Sequence, residues 1–191
     1  LAIVGILGNI IHNSLNTAQY VAGTVFFDTA SNYNLSVIPL FVLMGEVASG
    51  SRISAELFSA ARVIVSGLRG GLAVASLAAS GAFGAICGSS VATAASMTRI
   101  AMPEMRKAGY DDGYASGSIA AGGSLGILIP PSIILVIYGS IAEQSVAKLF
   151  AASMFPGIVL MLIYIAVALW IARRSNMVPP EASASLLDRI L

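Results

Sequence analysis

Charge is what this sequence is shortest of. Only 10% of its 191 residues are Asp, Glu, Lys or Arg and 57% are hydrophobic, whereas soluble domains carry about 25% charged residues. An ordinary water-soluble domain is thereby excluded, and an integral membrane protein is expected. The formal net charge of +1 excludes the basic footprint of a nucleic-acid-binding protein. There is one cysteine, Cys87, so no internal disulfide can form and the residue reads as a small apolar packing group. The one histidine, His12, lies at the edge of a segment, and no lysine falls inside an apolar run. A buried serine would lack a general base, which makes an intramembrane serine protease a distant alternative. Residues 1–11 lack the basic flank and cleavage pattern of a signal peptide, and the chain is expected to be a piece of a longer polypeptide.

What is present is organised around residues 71–98, GLAVASLAASGAFGAICGSSVATAASMT, an uncharged run built mostly of Gly, Ala, Ser and Thr. As one straight helix it would measure about 42 Å, well over the ~30 Å hydrocarbon core of a bilayer. Small residues let helices approach closely, so the run should be buried in protein. Two readings fit: a tilted span with a small-residue packing face, or a re-entrant hairpin of two arms, each about 15 residues long, meeting at Gly88, Ser89 and Ser90. A hairpin tip has to line a polar cavity, because unpaired backbone groups in lipid cost several kcal/mol each.

Around this run the remaining segments follow in order. Residues 1–48 are expected to supply scaffold membrane helices: the end of a span at 1–11, a short aromatic interfacial helix at 20–27, and a second span at 35–48 kinked by Pro39. Glu46, near the far end of that span, is read as snorkelling to the interface and pairing with Arg52. Residues 53–69 form an amphipathic interfacial helix, with Ile53, Leu57, Ala61, Ile64, Val65 and Leu68 on one face, Ser59, Arg62, Ser66 and Arg69 on the other, and Ser54 as N-cap. Residues 99–114 read as a solvated polar loop. Residues 115–141 start as a helix and must break, since Gly122, Gly123 and Ser124 loosen the backbone and Pro130 and Pro131, followed by Ser132, remove donors. A broken span leaves free carbonyls on one half and free amides on the other, the means by which secondary transporters bind ions and carboxylates. Residues 149–174 are the plainest span, and 175–191 a linker followed by the start of a further segment.

The basic residues decide between the two readings of 71–98. None precedes Arg52; Arg52, Arg62 and Arg69 come before the run, and Arg99, Arg106 and Lys107 follow it. A single crossing would put these clusters on opposite sides of the membrane, against the positive-inside tendency, whereas a hairpin keeps both cytoplasmic. Lys148 then lies outside and Arg173 and Arg174 inside. A re-entrant hairpin, 71–98, followed by a broken helix, 115–141, makes 70–141 one half of a transport domain with inverted repeats, and the other half is expected beyond Leu191. The fold class is thus an all-α integral membrane protein.

The runs PLFVLMGE from Pro39, GSSVATAASMTRIAMPEMRKAGYD from Gly88 and SIAAGGSLGILIPPSIILVIYG from Ser118 resemble the large membrane subunit of tripartite ATP-independent periplasmic (TRAP) transporters. The resemblance implies an elevator-type member of the ion-transporter superfamily in a bacterial or archaeal cytoplasmic membrane, with no enzymatic activity and no cofactor beyond a coupling sodium ion. Its implied partners are a small TRAP membrane subunit and a periplasmic substrate-binding protein that delivers an organic acid with a carboxylate. Carried over by position, Gly88, Ser89, Ser90, Thr93, Gly122, Gly123, Ser124, Pro130, Pro131 and Ser132 would line the sodium and substrate sites, with sodium at Ser89, Ser90 and Gly123. Sodium is a hard cation suited to carbonyl and hydroxyl oxygens, which both motifs supply without a carboxylate. Charge for an anionic substrate is left to the helix terminus near Ser132, to bound sodium, or to residues beyond this chain. A single-component sodium-coupled dicarboxylate carrier of the same superfamily is the alternative.

Overall fold

Helices and the turns between them make up the whole of the computed structural model, which describes residues 2–31 and 35–174. Nine helices and no strand occur among these residues. The linker expected at 175–191 lies outside them. Internal contacts divide the chain into two compact units, Leu1–Pro39 and Leu40–Leu191.

In the first unit α1 (Ala2–His12) packs on α2 (Leu15–Ala30). The break between them is set by polar side chains: Asn13 Nδ2 donates to Asn9 Oδ1 at 2.9 Å, and Ser14 Oγ accepts the Thr17 N–H at 3.2 Å, capping α2. The short helix expected at 20–27 is the middle of this longer one. Thr24 costs the helix little, because its hydroxyl donates to Tyr20 O at 2.7 Å.

Pro39, the last residue of the first unit, does not interrupt α3 (Val37–Gly50). It falls in the first turn, where the amide it lacks would have had no helical partner. A 63° bend separates α3 from α4 (Ile53–Val65). Ser51 builds the bend, donating its hydroxyl to Ala48 O at 2.7 Å and accepting the Ile53 N–H at 3.2 Å. Ser54 is therefore not the N-cap; that position is Arg52, and Ser54 is buried within the first turn. On α4 Phe58 and Ser54 are buried in the protein, whereas Ile64, on its apolar face, is 82% exposed. Glu46 and Arg52 are both exposed and are not among the ion pairs of the described residues.

The centre of the unit is α5 (Gly71–Cys87), nearly every residue of which is buried. It contacts α4, α6 (Ser90–Lys107), α7 (Asp112–Leu125) and α9 (Val146–Arg174). Glycine, alanine and serine allow this crowding, because backbones can approach where no large side chain intervenes. Phe83, Leu77, Met97, Met105 and Leu125 fill what space remains.

The polar stretch expected to be a loop at 99–114 is mostly helix. α6 continues to Lys107 because Met97, Ala101 and Met105, spaced four residues apart, are all fully buried. Pro103 is exposed on the opposite side, so its ring meets solvent rather than core. Gly109, at φ 78°, ends the helix. Asp111 then caps α7, its Oδ1 accepting the Tyr114 N–H at 3.0 Å.

Beyond the apolar part of α6, Glu104 bonds Lys107 and Arg62, each at 3.0 Å, and Arg106 clasps Asp112 at 2.8 Å. The hydrogen bond from Lys107 holds the Glu104 carboxyl below its ordinary value, and that from Arg106 does the same for Asp112. Groups whose carboxyl pKa is lowered on folding stabilise the protein above their unfolded-state pKa and lose that contribution as pH falls through the folded one. Stability should therefore be flat above about pH 5 and decline below it. Thermal unfolding of the Glu104→Gln variant across pH 3 to 6 is expected to show a shallower acid limb than wild type.

At the far end α9 runs for 29 residues and is, taken singly, the one described helix long and apolar enough to cross a membrane; α3 and α4 qualify only as a bent pair. Phe155, Leu162, Ile163 and Trp170 are exposed along it. The Arg174 guanidinium sits 5.4 Å from the centre of the Trp170 ring, an arrangement suited to a membrane–water interface.

Candidate functional site

Two interruptions of helix, distant in sequence, are neighbours in space. The first separates α5 from α6 and consists of Gly88 and Ser89 alone; Ser90, expected at the tip, is already the first residue of α6. Gly88 is left-handed (φ 62°), and its N–H closes α5 onto Gly84 O at 2.8 Å. Ser89 is extended and its Oγ accepts the Ala92 N–H at 3.3 Å, an N-cap. The Ser89 carbonyl accepts both the backbone N–H of Thr93 at 3.1 Å and its hydroxyl at 2.7 Å. Thr93, fully buried, thus braces the turn. Cys87 Sγ lies 3.1 Å from the same hydroxyl, so the cysteine joins a polar cluster rather than serving only as apolar filling.

The second interruption lies between α7 and α8 (Ile133–Ile141). It begins at Gly126, later than expected. Gly122, Gly123 and Ser124 are helical residues of α7, and the two glycines answer to packing rather than to a turn. A Cβ on Gly122 would come within 2.5 Å of Ser80 Oγ, and one on Gly123 within 2.7 Å of Ala94 Cβ. Ser124 Oγ donates to Ala121 O at 2.7 Å. The break therefore comprises residues 126–132 and contains the cis Pro130–Pro131 bond.

The two breaks interlock through main chain. A Cβ on Gly126 would stand 2.9 Å from Ser89 O, one on Gly88 2.8 Å from Pro131 O, and one on Gly84 2.5 Å from Gly126 Cα. Ile133 N–H points to Gly88 O at a long 3.5 Å, too far for a strong bond. The carboxyl ends of α5 and α7 and the amino ends of α6 and α8 consequently converge, bringing partial charges of both signs together in a buried setting. Ser132 stands at the start of α8, fully buried, and its Oγ has no hydrogen-bond partner among the described residues. A buried hydroxyl left so costs about 1–3 kcal/mol. Ser80, behind Gly122, is the other such hydroxyl among the described residues.

Of the residues anticipated from sequence, Gly88, Ser89, Ser90, Thr93, Pro130, Pro131 and Ser132 belong to this junction, while Gly122, Gly123 and Ser124 precede it within about the last turn of α7. Gly84, Gly126 and Ser80 were missed. The small-residue composition of both segments was the available signal, but it does not say which glycine meets which neighbour. No group of three or more His, Cys, Asp or Glu that could hold a metal occurs among the described residues. The oxygens on offer are carbonyls and hydroxyls, a set that favours a hard monovalent cation over a transition metal.

Residues 1–190 match the family model described as the tripartite ATP-independent periplasmic transporter, DctM component. The chain is 39% identical over 162 residues to a C4-dicarboxylate TRAP transporter large permease protein of Pseudomonas aeruginosa, covering 85% of this chain and 38% of that protein. It is 36% identical over 181 residues to the corresponding Vibrio cholerae protein, covering 95% and 40%. An ectoine/5-hydroxyectoine TRAP transporter large permease protein of Ruegeria pomeroyi is 35% identical over 156 residues, covering 82% and 36%. The chain thus spans about two-fifths of the length of the curated relatives it matches.

Proposed function

Because this chain belongs to the DctM family of tripartite ATP-independent periplasmic transporters, whose members are transporters and not enzymes, we propose that it is part of the large permease subunit of a sodium-coupled importer of an organic acid. The observation that carries this reading is the junction of the two helix breaks around Gly88, Ser89 and Ser132. It offers a buried hydroxyl without a partner and a weakly engaged carbonyl, which a sodium ion would satisfy. Ser89, Ser90 and Ser132 are the residues proposed to hold the ion or lie against it, with Gly123 as a more distant carbonyl donor.

In this reading α5 and the first part of α6 enter and leave the cytoplasmic membrane from one side, and α7 with α8 crosses it as a broken helix. Residues 70–141 form half of a transport domain that moves, elevator-fashion, relative to a scaffold that includes residues 1–48. The relatives are named for C4-dicarboxylates and for ectoine and 5-hydroxyectoine, compounds that all carry a carboxylate. A carboxylate substrate would find the amino ends of α6 and α8 and the ion itself as its positive partners. The partners proposed are a small TRAP membrane subunit and a periplasmic binding protein. A single-component carrier is the weaker reading, since the relatives are named as large permease proteins of TRAP systems.

The test is uptake by the full-length permease in proteoliposomes with its small subunit and binding protein, under a sodium or a potassium gradient. Uptake should require sodium and should fall in the Ser90→Ala variant. Sodium-dependent uptake untouched by that substitution would move the ion away from the start of α6, and uptake indifferent to sodium would overturn the mechanism.

A further inference from the structure

The turn between α5 and α6 has a second neighbour besides the break in α7–α8, and it comes from α3. A Cβ on Gly45 would stand 3.1 Å from Cys87 O and 3.4 Å from Cys87 Cβ, so main chain lies against main chain at the end of α5. About one turn further along α3, Ser49 Oγ and Ser96 Oγ are hydrogen-bonded at 2.9 Å. The Arg99 guanidinium also points to the Ser49 hydroxyl, at a long 3.5 Å. Two successive turns of α3 therefore touch α5 at its tip and α6 along its first half.

The seam is narrow and smooth. The buried residues of α3 are Gly45 and Ala48, and its large side chains Leu40, Leu43 and Val47 are exposed. Ridges of side chains set into grooves resist separation, whereas glycine, alanine and serine offer no such ridge, and parting them breaks one hydroxyl pair. The neighbouring element is held quite differently: α4 packs along α5, with Phe58 buried and Arg62 tied to Glu104 of α6 at 3.0 Å. The 63° bend at Ser51 and Arg52 thus joins a helix fastened to the α5–α6 hairpin to one that only rests on it.

We propose that this seam is a releasable latch. Gly45 and Ser49 hold the hairpin to α3 in one end state of the transport cycle, and the two part when the hairpin moves, with the bend between α3 and α4 as the hinge that takes up the change. The proposal rests on the elevator reading given above and adds to it the contact that has to break. Ser49 and Ser96 are its catch: their hydrogen bond is strong enough to define one state and weak enough to be lost and remade in every cycle.

Gly45→Cys in the full-length permease sets a second thiol against native Cys87, with Cβ atoms 3.4 Å apart, close to the roughly 3.5–4.5 Å of a disulfide. Because the same Cβ crowds Cys87 O, a Ser49→Cys and Ser96→Cys pair is built in parallel. Oxidation in membranes should crosslink both pairs, and uptake in proteoliposomes should then be lost and return when the same preparation is reduced. Crosslinked protein that still transports would show that α3 and the hairpin travel together, and pairs that fail to crosslink would show that the seam does not form; either result overturns the latch. A maleimide reads release without any uptake. Cys87, 1% exposed, should be labelled slowly in wild-type membranes and about fivefold faster in Ser96→Ala, the ratio that one hydrogen bond is worth. Equal labelling rates would overturn the latch, whereas faster labelling in protein that takes up no substrate would support it and count against the importer reading alone.

Discussion

Gly84→Ala is expected to destabilise the full-length protein by about 3 kcal/mol or more, the upper range for forcing atoms into a closed site. The added Cβ would stand 2.5 Å from Gly126 Cα and 3.1 Å from Gly126 N. Both are backbone atoms that cannot rotate away. Gly81, three residues earlier on the same helix, is the internal comparison. A Cβ there meets Met161 Sδ at 2.8 Å and Ile129 Cδ1 at 3.3 Å, the ends of flexible side chains, so Gly81→Ala should cost less than about 1 kcal/mol after alanine's better helix propensity is counted. Thermal unfolding of the purified variants checks the pair. Equal losses at the two positions would mean that the breaks do not meet through their backbones.

The second large effect is an opposition of signs at Ser132. Removing its hydroxyl removes a buried polar atom that has no partner among the described residues, so Ser132→Ala should raise stability without sodium by about 1 kcal/mol. The same change deletes an oxygen proposed for the ion, so half-saturation by sodium should move at least about tenfold, equivalent to ~1.4 kcal/mol. Unfolding temperature measured against sodium concentration reads both quantities from one preparation. A variant that loses stability yet keeps wild-type sodium dependence would show that the hydroxyl is structural. Ser89→Ala behaves differently, because its Oγ caps α6 through Ala92 N–H and its loss carries an N-cap cost in addition.

The turn at Gly88 and Ser89 was legible because two local requirements coincide there. A left-handed residue favours glycine, and the residue opening the next helix favours serine. The glycines of 122–126 were harder to read, since glycine serves a turn and a close packing contact equally well in a sequence. Only the fold shows that Gly122 and Gly123 answer to Ser80 and Ala94 while Gly126 starts the break. Proline misled for a related reason: Pro39 in a first turn and Pro103 on an outward face leave their helices continuous. The extension of α6 was present in the spacing of Met97, Ala101 and Met105, but the charges interleaved with them drew the reading towards a loop. That α4 buries Phe58 in the protein is a tertiary fact.

The contact between the two breaks has one more consequence. It is made by glycines against carbonyls, amides and α-carbons, so its shape is largely independent of side-chain identity elsewhere in the walls. In the proposed reading the residues around this contact can change, and with them the cargo, while the framework proposed to seat the ion keeps its dimensions. On that proposal, selectivity and coupling are separately adjustable at one short stretch of backbone.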